Sequence, residues 1–171
     1  MIRPLVPGDM IGIIGGGQLG RMLAMAAARL GYSTIIFDPD TKAPAAQVAG
    51  SHIAASYDDT DALDRLAEGC DVITYEFENV PVEAVERLER TVPVRPGSRA
   101  LRIAQDRLLE KDLARKLGGR TAEFAAVDSR ADLDAAMQLT GLPAVLKTTR
   151  LGYDGKGQAR IAAESDADEA L

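Results

Sequence analysis

Met10-Ile11-Gly12-Ile13-Ile14-Gly15-Gly16-Gly17-Gln18-Leu19-Gly20 is the stretch on which the fold turns. Met10–Ile14 is a short apolar run that stops at a glycine, the pattern of a buried strand. Gln18–Leu30 is rich in Met, Leu and Ala and closes at Gly31, a suitable residue just past a helix end, so it reads as a helix. A strand, a glycine loop and a helix in that order open an α/β unit.

The same alternation continues downstream. Thr34–Phe37 is β-branched and aromatic and ends at Asp38-Pro39, which predicts a second strand, and His52–Ala54 is a candidate third. Asp59–Glu68 carries Leu63, Leu66 and Ala67 at helical spacing before Gly69. Val72–Tyr75 follows as a buried strand and Pro81–Leu88 as a helix with proline at its start. Strands and helices taking turns predict a parallel sheet covered on both faces.

The pattern changes at Val92-Pro93-Val94-Arg95-Pro96-Gly97, whose prolines and glycine suit a junction between domains. The expected organisation is therefore residues 1–97 as one domain and 98–171 as part of a second. Ser98–Leu117 reads as a long helical stretch, broken once, with Ser98 as N-cap. Phe124–Val127 reads as a strand, Ser129 opens the next helix, and that helix stops at Gly141-Leu142-Pro143. Ala144–Thr148 and Ala159–Ile161 are expected strands around a glycine-rich loop, Gly152–Gln158, and Ser165 starts a further helix. A second segment this short is marginal as an independent core, so the chain is expected to be the front of something longer.

Composition narrows the function. Across 171 residues, 46% are hydrophobic and 27% charged, ordinary values for a globular protein. A net charge of −6 argues against a nucleic-acid partner, which requires a basic surface. The N-terminal residues have no apolar signal core and no apolar run approaches the roughly 20 residues of a membrane span, so a cytoplasmic protein is expected. Cys70 and His52 are the single cysteine and histidine, which makes an internal disulfide impossible and a zinc site unexpected. Cys70 reads as a small buried hydrophobe.

Gly15–Gly20 satisfies G-x-G-x-x-G, and Asp38 stands where nicotinamide enzymes place a ribose-binding acid. On these residues alone the choices are a dinucleotide, another phosphate-bearing ligand, or glycines that serve only close packing. Tyr75-Glu76-Phe77-Glu78-Asn79-Val80 puts two carboxylates at a strand end, where they can accept from a sugar hydroxyl or an amine, or else favour the following helix. Gln105-Asp106-Arg107, with Glu110 and Lys111 after it, lies on a mostly solvated helix, Arg107 being the exception. Val145-Leu146-Lys147 places a lysine at the tip of a buried strand, suited to gripping phosphate. Leu151-Gly152-Tyr153-Asp154-Gly155-Lys156-Gly157-Gln158 is a loop whose amides can wrap a triphosphate; it lacks the Walker pattern and lies between two strands.

Taken in order, GGGQLGRM, YEFENV, QDR with a following EK, VLK and LGYDGKGQ resemble the signature of the carboxyaminoimidazole ribonucleotide synthases, which are ATP-grasp ligases. The resemblance runs over essentially the whole chain. It implies a Rossmann-like pre-ATP-grasp domain followed by the beginning of an ATP-grasp domain. It also implies a reaction of ATP, bicarbonate and 5-aminoimidazole ribonucleotide to the N5-carboxyamino product, ADP and phosphate, through carboxyphosphate. By resemblance, Gln18, Leu19, Gly20 and Glu76 face the ribonucleotide. Arg107, Lys147, Gly152, Tyr153, Asp154, Gly155, Lys156, Gly157 and Gln158 bind ATP, with Tyr153 and Lys156 also placed at the transferring group. Magnesium ligands, the adenine pocket and the bicarbonate site are expected beyond residue 171, the chain alone is expected to be inactive, and the full-length enzyme is expected to be a homodimer. One departure is Gly118–Phe124, which lacks the prolines that similar enzymes carry there. The competing readings are an NAD(P)-dependent oxidoreductase and a non-catalytic nucleotide-binding module.

Overall fold

The computed structural model describes residues 3–152 and 155–171. The chain divides into two compact units, Met1–Arg102 and Ile103–Leu171.

In the first unit four strands form a parallel sheet in the order β3-β2-β1-β4: β1 is Met10–Ile14, β2 Ser33–Phe37, β3 Ser51–Ile53 and β4 Val72–Tyr75. Ile14 pairs with Phe37 on one side and Tyr75 on the other, so three strands reach their C-terminal ends together. Successive side chains of a strand point to opposite faces. Ile14, Ile35, Phe37 and Ile73 accordingly pack on one face, with Leu63 and Leu66 of α2 (Thr60–Gly69) and Val85 and Leu88 of α3 (Val82–Leu88). Ile13 and Ile36 pack on the other, against Ala24 of α1 (Gln18–Arg29) and Ala45.

Small residues set the spacing of these layers. The inward face of α1 is Gly20, Ala24 and Ala27, and a Cβ on Gly20 would stand 2.4 Å from the Gly15 carbonyl oxygen. Gly12 leaves room for Cys70, Ile73 and Leu66 in the same way. Helix α1 ends as its sequence predicts: Gly31 takes φ 84°, and the Tyr32 amide returns to the Ala27 carbonyl at 3.0 Å. Asp59 caps α2 by accepting from the Ala62 amide at 3.0 Å. Cys70 is half-buried against the core, and burial together with Asp71 pushes its thiol up to about 12, so it stays neutral.

The long helical stretch is broken once, as expected. Helix α4 (Ser98–Ala104) ends before Asp106, which caps α5 (Arg107–Lys116) by accepting from the amides of Leu108 and Leu109. Ser98 does not cap α4: its hydroxyl donates to Glu89 at 2.6 Å. The units divide within α4, whose Leu101 belongs to the first core.

The second unit holds α5, α6 (Arg130–Thr140) and an antiparallel pair, β5 (Ala144–Lys147) with β6 (Gln158–Ile161). Ser129 caps α6 through the Asp132 amide, as its position predicts. Leu133 and Met137 of α6 pack with Ile161 and with Ala167 of α7 (Ala167–Ala170). Three expectations need correction. Phe124–Val127 is irregular backbone: among the described residues β5 pairs only with β6, and no ladder is offered to that segment. Strand β5 is not buried, since Val145 and Lys147 lie on its uncovered face. The last helix starts after a 3₁₀ turn at Glu164–Asp166, where the Asp166 carboxylate, not Ser165, accepts from the amides of Ala162 and Ala163.

Candidate functional site

The loop after β1, Asp38 after β2 and Glu76 after β4 share one end of the first sheet, the end where open parallel sheets bind ligands. Gly15 takes φ 100°, and a Cβ there would meet Glu76 and Phe77 within 3 Å, so the tight turn and the close approach of β4 both require glycine. Gly16 is buried between Ala43 and Asp38.

The glycine-loop amides are already engaged. Gly16 N–H donates to Asp38 Oδ2 at 2.6 Å and Gly17 N–H to Glu76 Oε1 at 3.3 Å. Asp38 Oδ2 also accepts the Tyr57 hydroxyl at 3.0 Å, while Oδ1 accepts the Asp40 amide at 2.8 Å. Tyr57 packs between Phe37 and Phe77, each ring centroid 5.9 Å away. Asp38 is thus a structural acceptor that ties β2, the loop and Tyr57 together. Nothing in its motif position distinguishes this from a ribose-binding acid, and Tyr57 belongs to no recognisable motif.

Glu76 is half-buried at the edge of this arrangement. Burial raises its pKa above the ordinary glutamate range; the Gly17 amide opposes the rise, and the charges of Asp38 and Glu78 add to it. Its remaining acceptor capacity suits a hydroxyl or an amine. Gln18 and Leu19 are exposed at the start of α1, whose first intrahelical bond runs from the Arg21 amide to Gly17, leaving the amides of Gln18, Leu19 and Gly20 without intrahelical acceptors. Gly20 is buried close against the Gly15 carbonyl, so its amide is all it can offer a ligand.

In the second unit the Arg107 amide donates to the Thr149 carbonyl at 2.9 Å, which pins the start of α5 to the end of β5. Arg107 and Lys147 thereby line one cavity of about 800 Å³, whose wall also includes Phe124, Val145 and Leu146. That volume is in the range of small-molecule sites. Sequence reasoning left Lys111 on a solvated face, yet it lines this cavity too, one helical turn after Arg107. The four-residue spacing was the available signal.

The glycine loop joins β5 and β6. Thr148 N–H donates to the Gly157 carbonyl at 2.8 Å, and Gly155 and Gly157 take φ 80° and 65°. Gly152, Gly155, Lys156, Gly157 and Gln158 are exposed. Tyr153 and Asp154 lie outside the described residues. Among the described residues no three acidic, histidine or cysteine side chains gather as a metal site, and no helix is long and apolar enough to cross a membrane.

Residues 9–105 match the family pattern of the ribonucleotide synthetase pre-ATP-grasp domain, and residues 112–171 that of the ATP-grasp domain. The chain is 57% identical over 158 residues to the N5-carboxyaminoimidazole ribonucleotide synthase of Brucella melitensis, covering 92% of itself and 44% of that protein. It therefore spans less than half the length of that curated relative. It superposes at TM-score 0.93 on the ADP complex of an N5-carboxyaminoimidazole ribonucleotide synthetase, with 46% identity, over 99% of this chain and 45% of the other. A synthase from Aspergillus clavatus in complex with ADP and 5-aminoimidazole ribonucleotide gives 0.83 at 32% identity, over 95% and 43%. With the carboxylate-capped loop of the first unit and the cationic cavity of the second, these likenesses agree, and the chain belongs to the N5-carboxyaminoimidazole ribonucleotide synthase family.

Proposed function

We propose that the protein carrying this chain joins bicarbonate to 5-aminoimidazole ribonucleotide at the expense of ATP, releasing ADP and phosphate. A bicarbonate oxygen attacks the γ-phosphorus while the bond to ADP breaks, giving carboxyphosphate. The amine of the ribonucleotide then attacks the carboxyl carbon, the bond to phosphate breaks, and the amine proton is lost.

The first unit supplies the ribonucleotide site in this reading. Glu76 accepts from a sugar hydroxyl or the amine, the exposed Gln18 side chain and the backbone of Leu19 and Gly20 donate, and the apolar Leu19 side chain covers the ligand. The second unit supplies the start of an ATP clamp, in which Arg107, Lys147 and the loop containing Gly152, Tyr153, Asp154, Gly155, Lys156, Gly157 and Gln158 offset the charge of the moving phosphoryl group. Tyr153 and Lys156 are the residues proposed to act at the transferring group. The Mg²⁺ that accompanies ATP is proposed to find its protein ligands beyond residue 171. A cytoplasmic homodimer is the proposed full-length state, and the exposed apolar side chains of Met22, Leu23 and Met25 on α1 suit a protein contact.

The observation that carries the reading is the pair of bonds from Gly16 and Gly17 to Asp38 and Glu76. A loop whose amides face carboxylates is a poor cradle for a pyrophosphate and a good one for donors. The test is ADP release by a chain extended to the full length of its relatives. Release requiring both bicarbonate and 5-aminoimidazole ribonucleotide is expected; nucleotide binding without turnover would instead favour a non-catalytic module.

A further inference from the structure

Arg107, Lys111 and Arg115 recur every four residues along α5 and form one cationic stripe. Like charges at this spacing weaken an isolated helix, so the stripe needs compensation from elsewhere. Arg115 has it: its guanidinium donates to Thr121 Oγ1 at 2.7 Å, to the Ala122 carbonyl at 3.2 Å and to Glu123 at 3.3 Å. Its Cζ also lies 4.4 Å from the centre of the Phe124 ring.

Lys111 is placed differently. Its Nζ lies 4.7 Å from the centre of the same ring, an attraction that holds the ammonium in the wall of the cavity. Among the described residues neither Lys111 nor Arg107 forms an ion pair with a carboxylate. The cavity lining brings Arg107, Lys111, Lys147 and Arg150 against two acids, Glu123 and Asp128, the first of them already paired with Arg115. Partial burial holds the Lys111 ammonium below the ordinary lysine range, and Arg107, Arg115 and Lys147 push the same way. A polyanion in the cavity would offset the charge that Arg107, Lys111 and Lys147 bring to its wall.

We infer that Lys111 is a third cation of the phosphate clamp, binding the polyphosphate of the nucleotide beside Arg107 and Lys147. The inference rests on the proposed use of ATP and gives a role to Lys111, which stands in the motif after Arg107 but to which the resemblance assigns no ligand. The Phe124 ring restrains the lysine stem, so less side-chain freedom is lost when the anion arrives.

The test is calorimetric titration of the protein, extended to the full length of its relatives, with ATP and with inorganic tripolyphosphate, comparing wild type, Lys111→Met and Lys111→Arg. Methionine keeps an unbranched stem against Phe124 and removes only the charge. Lys111→Met should weaken both ligands about tenfold, as expected for loss of one charge-assisted contact. Lys111→Arg should stay within about threefold of wild type, and the melting temperature without ligand should be unchanged for both variants. Unchanged affinity for tripolyphosphate in Lys111→Met overturns the inference, whether or not ATP binding falls. A lowered melting temperature with wild-type affinities would mark Lys111 as structural only and leave the ATP reading intact. Failure of the extended wild-type protein to bind either ligand overturns both.

Discussion

Asp38 Oδ2 accepts the Gly16 amide at 2.6 Å, so the acid that would read a dinucleotide's ribose is spent on holding the glycine loop. Replacing it with alanine leaves the Gly16 amide, the Asp40 amide and the half-buried Tyr57 hydroxyl without this acceptor. Asp38→Ala should lower unfolding stability by about 1–3 kcal/mol. Tyr57→Phe, which removes one donor and keeps the ring packing, should cost about 0.5–1.5 kcal/mol. Urea denaturation measures both, and equal stability of Asp38→Ala and wild type would remove the structural role.

Glu76 gives a pH signature of the opposite sign to an ordinary ion-paired acid. Its native pKa is raised, so between the unfolded and native values the native state holds more protons than the unfolded chain. Stability from this group is therefore greatest below the unfolded pKa and falls as pH rises through the native one. Glu76→Gln keeps an acceptor for Gly17 and abolishes that fall. The melting temperature of the variant, relative to wild type, should rise from about pH 4 to about pH 7. A flat difference would mean that the carboxyl is not perturbed.

The same substitution should weaken binding of 5-aminoimidazole ribonucleotide about tenfold at neutral pH, the effect of exchanging a charged acceptor for a neutral one. Fluorescence or calorimetric titration reads this directly. Wild-type affinity in Glu76→Gln would remove it from the proposed ribonucleotide site.

Gly20→Ala tests how closely α1 sits on the loop. Its new methyl group would stand 2.4 Å from the Gly15 carbonyl, a backbone atom that moves only if the loop opens. A loss of about 1–3 kcal/mol in stability is expected from this overpacking, measurable as a lower urea midpoint with an unchanged slope.

Lys147→Ala removes an exposed side chain at the end of β5. Stability should stay within about 0.5 kcal/mol of wild type, while ATP affinity falls at least about tenfold. Retained ATP binding would take Lys147 out of the clamp.

Much of the first unit was legible because its elements are local and periodic. Met10–Ile14, Val72–Tyr75 and the Asp59 and Gly31 helix ends announce themselves through apolar runs and capping chemistry. Phe124–Val127 had the composition of a strand but pairs with no strand among the described residues, and pairing is not a local property. The exposed face of β5 was missed for a related reason: apolar residues report a preference for burial, and only the neighbours decide whether it is met. At the site, the glycine motif located the loop but not its partners. The bonds of Asp38 and Glu76 to Gly16 and Gly17 join residues 22 and 59 positions apart, beyond any motif spacing.

The most direct test of the central claim is a paired titration of the chain with 5-aminoimidazole ribonucleotide and with NADH. The carboxylate-capped loop predicts saturable binding of the ribonucleotide, weakened by Glu76→Gln, and no response to NADH. Saturable binding of NADH with no response to the ribonucleotide would contradict it.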